Sequence, residues 1–289
     1  MELAMNETGS DLRNPLITII VAVLNGARTL QRCIDSVANQ IYPYKEFIII
    51  DGESIDNTVD ILQANDHDIT YWESKPDKGI YHAWNKALEY AKGEWICFLG
   101  ADDFFWDSHV LNNIKTHLIS AAKVNIRYVY GKQAIISPNS GKVLFIEGRP
   151  WNHIKKRFKE INTITHSGTF HHKDLFKIYG RFNQSFEIAG DYDFLLRELK
   201  YNEAYFASDL IIIGMTLGGL GTQFDKKFQT AIEFLRARKN NNIQGMPWLI
   251  YRWLIKIGIF NTLRYLLGDK MVERVDELYR IAVRKIRLN

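Results

Sequence analysis

Two adjacent carboxylates, Asp102-Asp103, follow an apolar segment that reads as a strand, Glu94–Leu99, across Gly100-Ala101. Carboxylates packed this closely repel unless a cation or hydrogen-bond donors compensate. Hard divalent ions such as Mg²⁺ or Mn²⁺ take oxygen ligands, commonly one or two carboxylates plus the phosphates of a substrate. In isolation the pair reads equally as a solvated turn, or as a cap for a helix around Val110–Leu118. A second acidic cluster, Asp51-Gly52-Glu53-Ser54-Ile55-Asp56-Asn57-Thr58, follows another apolar run. Loop chemistry accounts for much of it, with Gly52 turning the chain and Asp56 capping a short helix, but Asp51 itself falls at the strand's end. Asp77-Lys78-Gly79 leads into a helix whose first backbone N–H groups are placed to face a phosphate or a sugar. A lone histidine is usually structural or exposed, and His171 and His172, ahead of an expected helix, read as surface residues.

The elements that must carry these residues alternate along the first half. Leu16–Val23 is a continuous β-branched run, as in a strand buried on both faces. Leu30, Ile34, Val37 and Ile41 recur at helical spacing, and Lys45–Asp51 is a second strand. A short helix carries Val59 and Leu62, and Ile69–Trp72 is a third strand. Ile80, Ala83, Trp84, Ala87, Leu88 and Ala91 form an apolar stripe that Gly93 stops. Such alternation predicts an α/β fold, a doubly wound, mostly parallel sheet with helices on both faces. Ligands of such sheets sit beyond the carboxyl ends of the strands, where Asp51, Asp102 and Asp103 collect. The second half predicts a hairpin (Arg127–Ser137 with Lys142–Glu147), a helix over Asp191–Lys200 and a strand over Leu210–Leu217. Gly218-Gly219-Leu220-Gly221 is a flap or a plain turn, and helices follow over Thr222–Lys239, Trp248–Leu267 and Asp269–Arg287.

Six segments in this order resemble the family 2 glycosyltransferases, and within them the bacterial enzymes of exopolysaccharide, colanic-acid and O-antigen assembly. They are Ile17–Asn25; Asp51-Gly52-x-Ser54-x-Asp56-x-Thr58; Asp77-Lys78-Gly79-Ile80-Tyr81-x-Ala83-x-Asn85-Lys86; Phe98–Asp103; His166-Ser167-Gly168-Thr169-Phe170-His171; and Gly190–Arg197, with Gly218-Gly219 beyond. The resemblance covers roughly residues 15–220. It implies a GT-A fold, a catalytic domain over 15–222 and a C-terminal helical region over 223–289. It further implies inverting transfer of a sugar from a nucleoside-diphosphate donor, assisted by Mn²⁺ or Mg²⁺.

Carried over residue by residue, Ala22, Leu24 and Asn25 would touch the nucleotide and Asp51 the base. Asp102 would approach the ribose, and Asp103 would ligate the metal bridging the two phosphates. Lys78, Gly79, Asn85 and Lys86 would line the donor pocket, His166 would reach donor phosphate or acceptor, and Asp191 would be the general base. Asp193 competes with Asp191 for that role, since both precede an apolar helix and one of them is free to cap it. Three positions depart from the family pattern: Gly52 and Gly100 stand where it often has Asp (or Asn at 100), and His82 where it often has Asp.

Composition bounds the alternatives. With 289 residues, 46% of them hydrophobic and 24% charged, the chain is neither disordered nor dependent on disulfides. Cys33 and Cys97 both sit in apolar periodic stretches and read as buried thiols. The net charge of +4 is uneven: from Asp225 onward 14 Lys+Arg face 6 Asp+Glu, so the body before it is mildly acidic. That argues against a nucleic-acid partner bound along the whole chain. No leader or membrane span is evident, which makes a cytoplasmic protein the default. In Trp248–Leu267 aromatic and apolar residues alternate with Arg252, Lys256 and Arg264. This suits either packing on protein or peripheral contact through residues 248–287 with the inner face of the plasma membrane. The resemblance implies a glycan acceptor that is lipid-linked. The rival readings are a sugar-nucleotide pyrophosphorylase, which should carry a Gly-rich basic loop after the first strand, and a non-catalytic membrane-surface binding protein.

Overall fold

The computed structural model describes residues 14–138, 140–216 and 226–267. In chain order the elements are β1 (Ile17–Val23), α1 (Leu30–Ala38), β2 (Lys45–Asp51), α2 (Thr58–Ala64), β3 (Tyr71–Ser74), α3 (Ile80–Tyr90), β4 (Trp95–Gly100) and β5 (Phe104–Phe105). There follow α4 (Val110–Lys123), β6 (Tyr128–Ile136), β7 (Val143–Glu147), α5 (Trp151–Phe158), β8 (Thr169–His172), α6 (Asp174–Tyr179), α7 (Gly190–Leu199), β9 (Tyr205–Thr216), α8 (Lys227–Asn240) and α9 (Trp248–Leu267).

The strands form one sheet in the order β3-β2-β1-β4-β8-β6-β9-β5, with β7 added to β6. β3, β2, β1 and β4 are mutually parallel. β8 inserts antiparallel between β4 and β6, and β9 runs parallel to β6. Side chains alternate between the two faces with period two. Ile17, Ile19, Val21 and Val23 of β1 join α1, α2 and α4 in one core. Ile20, Ile48, Ile50, Ile96 and Phe98 join α3, α5, α6 and α7 in the other. Burial on both faces is why these strands read as unbroken apolar runs, and the α/β, doubly wound expectation holds. Cys33 and Cys97 are both buried and free, and burial pushes both thiols up.

Several local readings are corrected. The third strand is Tyr71–Ser74 rather than Ile69–Trp72, so its end aligns Ser74 with Asp51. β8 is a four-residue polar strand with no apolar run to announce it. Because it lies inside the sheet, His171 is fully buried and His172 half-buried, not surface residues. α5 shows only Trp151, Ile154 and Phe158 as buried positions, and it was not anticipated. The Gly218–Gly221 segment and the helix expected over Asp269–Arg287 lie outside the described residues.

α8 packs on α7, with the rings of Tyr192 and Phe234 5.0 Å apart and Ala237 buried in the second core. α9 turns Ile250 and Ile257 inward and brings Trp253 within 5.9 Å of Phe234. Its Trp248, Tyr251, Ile255 and Ile259 stay exposed, at the spacing of one helix face. Among the described residues no helix is long and apolar enough to cross a membrane.

Candidate active site

The sheet register brings the carboxyl ends together: Val23 lies beside Asp51, Ala22 beside Gly100, and Asp51 beside Ser74. Asp51 is fully buried. Its carboxylate accepts from the Ser54 N–H at 3.0 Å and from the hydroxyls of Ser54 and Ser74 at 2.5 and 2.6 Å. The rest of that segment clips the β1–α1 loop. Asn25, at φ 52°, donates its N–H to Ser54 Oγ and accepts from the Ile55 N–H through Oδ1. The Gly26 N–H donates to Thr58 Oγ1 and the Ala27 N–H to Asp56 Oδ2. Asp56 also takes the Thr58 N–H, but from one residue before the N-cap of α2, which is Asn57 and not Asp56 as expected; these bonds, led by that from the Thr58 hydroxyl, hold its carboxyl low. Ala22 is half-buried here, while Leu24 and Asn25 are exposed.

Both glycine departures leave room for a carboxylate. A Cβ on Gly52 would stand 2.8 Å from Asp77 Oδ2, whose other oxygen accepts the Gly79 N–H at 2.7 Å. A Cβ on Gly100 would stand 2.7 Å from Asp103 Oδ2 and 2.9 Å from Asp102 Oδ1. The paired carboxylates therefore converge on one point at the end of β4. Asp102 is half-buried and Asp103 only 4% exposed. Burial, then the charge of Asp102, pushes Asp103 up to about 7 against the pull of Ser167, the Thr216 N–H and Arg32. Ser167 Oγ also accepts the Gly100 N–H at 3.1 Å. Arg32 donates to the Asp102 carbonyl oxygen and to Thr216 Oγ1, tying α1 and β9 to the turn. Among the described residues no group of three metal-ligating side chains exists. Two convergent, mutually repelling carboxylates still fit a hard divalent cation whose other ligands are phosphate and water.

Asp191 opens α7, half-buried. Its Oδ1 lies 3.3 Å from the Tyr81 hydroxyl and its Oδ2 accepts from Asn162 Nδ2 at 3.3 Å. Burial, helped by the charge of Glu233, pushes it up to about 6 against the Tyr192 N–H and Tyr81. Asp193, 2% exposed, is spent on structure. Its Oδ2 pairs with Arg197 at 2.6 Å, and Oδ1 takes amides from Asn240 and Asn241 at the end of α8.

The remaining expected residues divide. Lys78 and Gly79 are exposed on the loop into α3, with Gly79 at φ 105°. Asn85 is buried; its Nδ2 donates to the Phe182 carbonyl oxygen at 2.9 Å and its Oδ1 accepts the Phe182 N–H at 3.0 Å. Lys86 pairs with Glu73 at 2.6 Å. His166, 6% exposed, stacks on Trp84 at 4.8 Å and lies the same distance from the His171 ring, and burial keeps it neutral. Among the described residues neither of its ring nitrogens has a partner. Asn85 and Lys86 are thus each held by a partner within the protein, and His166 packs among aromatic rings next to Ser167. A chain of contacts nonetheless joins the two acidic stations. Asp103 meets Ser167, the neighbouring His166 stacks on Trp84, and Tyr81, one helical turn away on α3, meets Asp191. Of the residues sequence reasoning missed, Tyr81 and Ser167 lay inside quoted motifs. Arg32, Asn162, Thr216 and Glu233 carried no signal of their own.

The family model described as glycosyl transferase family 2 matches residues 18–176. A PGL/p-HBAD biosynthesis glycosyltransferase of Mycobacterium bovis is 30% identical over 186 residues, 63% of this chain and 69% of that protein. An Escherichia coli UDP-Glc:α-D-GlcNAc-diphosphoundecaprenol β-1,3-glucosyltransferase, WfgD, is 34% identical over 126 residues, 43% of this chain and 48% of that one. Two solved structures share the fold. Residues 1–349 of Staphylococcus aureus TarS with UDP-GlcNAc give a TM-score of 0.58 at 16% identity, over 76% of this chain and 66% of that one. A Pyrobaculum calidifontis mannosyltransferase with GDP-Man and Mn²⁺ gives 0.62 at 16% identity, over 93% and 80%. The chain belongs to glycosyltransferase family 2, and its fold is of the GT-A type.

Proposed function

We propose that this glycosyltransferase moves a sugar, with inversion, from a nucleoside-diphosphate donor to a hydroxyl of a glycan acceptor, lipid-linked in the cell. The observation that carries the reading is the contrast between its acidic stations. Asp102 and Asp103 converge on Gly100, while Asp191 has no ion pair among the described residues and rises to about 6. A base works best near the operating pH.

Asp103, with Asp102 beside it, would hold a divalent cation, and when bound that cation neutralises charge developing on the diphosphate. The β1–α1 loop, fixed by Ser54, Asp56 and Thr58, and the end of β2 form the nucleotide side. Tyr81 and Asn162 hold the Asp191 carboxylate, which takes the proton from the acceptor hydroxyl as its oxygen attacks the anomeric carbon. The bond to the diphosphate oxygen breaks on the opposite face and its electron pair leaves with the diphosphate, which inverts the centre without a covalent glycosyl-enzyme. WfgD, by its name, uses UDP-Glc and a diphosphoundecaprenol-linked sugar, and that chemistry supports a lipid-linked acceptor here. The pyrophosphorylase alternative fits poorly, because the N–H groups of Asn25, Gly26 and Ala27 are already taken by side chains and offer no phosphate cradle.

A thermal-shift screen of UDP- and GDP-sugars with and without Mn²⁺ tests the reading. One donor should raise the melting temperature and release its nucleoside diphosphate; an enzyme that neither binds nor turns over any of them contradicts it. The exposed Trp248, Tyr251, Ile255 and Ile259 face of α9, in a basic segment, supports peripheral contact with an anionic membrane. Co-sedimentation with phosphatidylglycerol vesicles should be lost in Trp248→Ser/Ile255→Ser, and wild-type protein that ignores such vesicles rejects the contact.

A further inference from the structure

We propose that Glu233 of α8 is a positioning residue for the base: its carboxylate grips three consecutive backbone N–H groups and so fixes the segment from which α7 and Asp191 spring. The inference rests on Asp191 being that base. Glu233 is 6% exposed. Its Oε1 accepts the Glu187 N–H at 3.1 Å, and its Oε2 accepts those of Ile188 and Ala189 at 2.9 and 2.8 Å. Successive N–H groups turned toward one anion make a nest, and bonds to an ionised acceptor are the strong ones.

The same segment is held from the opposite side by α3. The Tyr81 hydroxyl donates to the Ile188 carbonyl oxygen at 2.7 Å, and the Tyr81 ring fills the space where a Cβ on Gly190 would stand, 2.8 Å away. Both polar groups of the Ile188 backbone are thus fixed, the N–H by α8 and the carbonyl by α3. Asp191 lies three residues on, in the first turn of α7. Arg236 completes the clamp, with its guanidinium 3.9 Å over the Phe186 ring and a hydrogen bond to the Ser185 carbonyl oxygen at 2.9 Å.

Glu233 also acts on Asp191 by charge. The groups facing Asp191 are Tyr81 from α3, Asn162 from the loop after α5, Tyr128 from β6 and Glu233 from α8, with Arg236 beside Glu233. A structural tie between α7 and α8 does not require this arrangement, since Asn240 and Asn241 on Asp193 and the Tyr192–Phe234 contact already dock the two helices.

The test compares full-length Glu233→Gln, Glu233→Asp and Asp191→Asn with wild type. Three readouts serve: hydrogen exchange of the peptide spanning 186–192, the titration midpoint of Asp191 in ¹³C-aspartate-labelled protein, and nucleotide release from UDP-glucose, UDP-N-acetylglucosamine or GDP-mannose with Mn²⁺. In Glu233→Gln, the amides of 187–189 should exchange about 10-fold faster and the Asp191 midpoint should move to lower pH. There kcat should fall roughly 10- to 100-fold while donor KM stays within about threefold, since small displacements of a reacting group cost that much. Glu233→Asp keeps the charge but not the reach, so exchange and kcat should change while the midpoint stays near wild type. If both variants leave local exchange and midpoint unchanged, or loosen the whole fold with kcat simply following the folded fraction, the positioning role is overturned. Wild-type turnover in Asp191→Asn would instead overturn the assignment of the base; loss there, with both Glu233 variants unaffected, would overturn the positioning alone.

Discussion

Asp191 and Asp193 sit two residues apart on one helix, and their surroundings give them opposite duties. Asp193 is neutralised by Arg197 and saturated by amides. Removing it in Asp193→Ala should destabilise the protein by about 2–4 kcal/mol, because the partners of a buried pair are left unpaired. Turnover per folded molecule should hold within a few-fold, as measured by urea melts alongside kcat. Asp191→Asn keeps the hydrogen-bonding shape and loses the basicity, so kcat should drop at least about 100-fold. Its stability should move the other way. Because Asp191 rises to about 6 in the folded protein, the folded state binds its proton more tightly than the unfolded chain does. Its contribution is therefore fully present below about pH 4 and is lost as pH climbs through about 6. At neutral pH Asp191→Asn should be more stable than wild type by roughly 2 kcal/mol, after allowance for partial exposure. Wild-type kcat should fall as the pH drops below about 6. Equal melting temperatures for the two proteins from pH 4 to pH 7 would contradict this account of Asp191.

At the scale of elements, the site is a set of loops tied to one another by side chains that receive backbone N–H groups. Asp56 spans two of them, taking the Ala27 and Thr58 N–H groups. Asp56→Ala removes both ties between these loops and should raise donor KM more than it lowers kcat, because it loosens the nucleotide side. Gly168, at φ 73° with Ile213 2.6 Å from where a Cβ would be, turns the chain between Ser167 and β8. Gly168→Ala should destabilise by about 1–3 kcal/mol and weaken the Mn²⁺ dependence through displaced Ser167. The parallel quartet and α3 were legible because burial on both faces writes β-branched runs, and one buried face writes a 3.6-residue stripe. β8 was not: Thr169-Phe170-His171-His172 is short and mostly polar, and it is a strand only because β4 and β6 flank it. The acidic motifs drew attention to Asp51, Asp103 and Asp191. No pattern marked the partners of Asn85 and Lys86, because Phe182 and Glu73 come from separate stretches of chain. Glu233 was invisible for a related reason, since its ligands are backbone N–H groups 44 to 46 residues away.

Across the whole molecule, the family match ends at residue 176, and Asp191, α8 and α9 lie beyond it. The shared part supplies the acidic pair at the end of β4 and every strand of the sheet except β9. The later part supplies the opposing carboxylate and the helices that hold it, and α9 presents an exposed aromatic face. Specificity for the acceptor is accordingly expected to reside after residue 176, and exchanging residues 177–267 with those of a relative should change the acceptor used while leaving the donor unchanged. The central claim is that one acidic station holds the diphosphate end while a separate carboxylate takes the acceptor's proton. Its most direct test is single-turnover release of nucleoside diphosphate by Asp191→Asn, with Mn²⁺ and donor binding measured in the same samples. The account predicts donor bound as tightly as in wild type and release slowed at least about 100-fold; release at the wild-type rate from fully bound donor would contradict it.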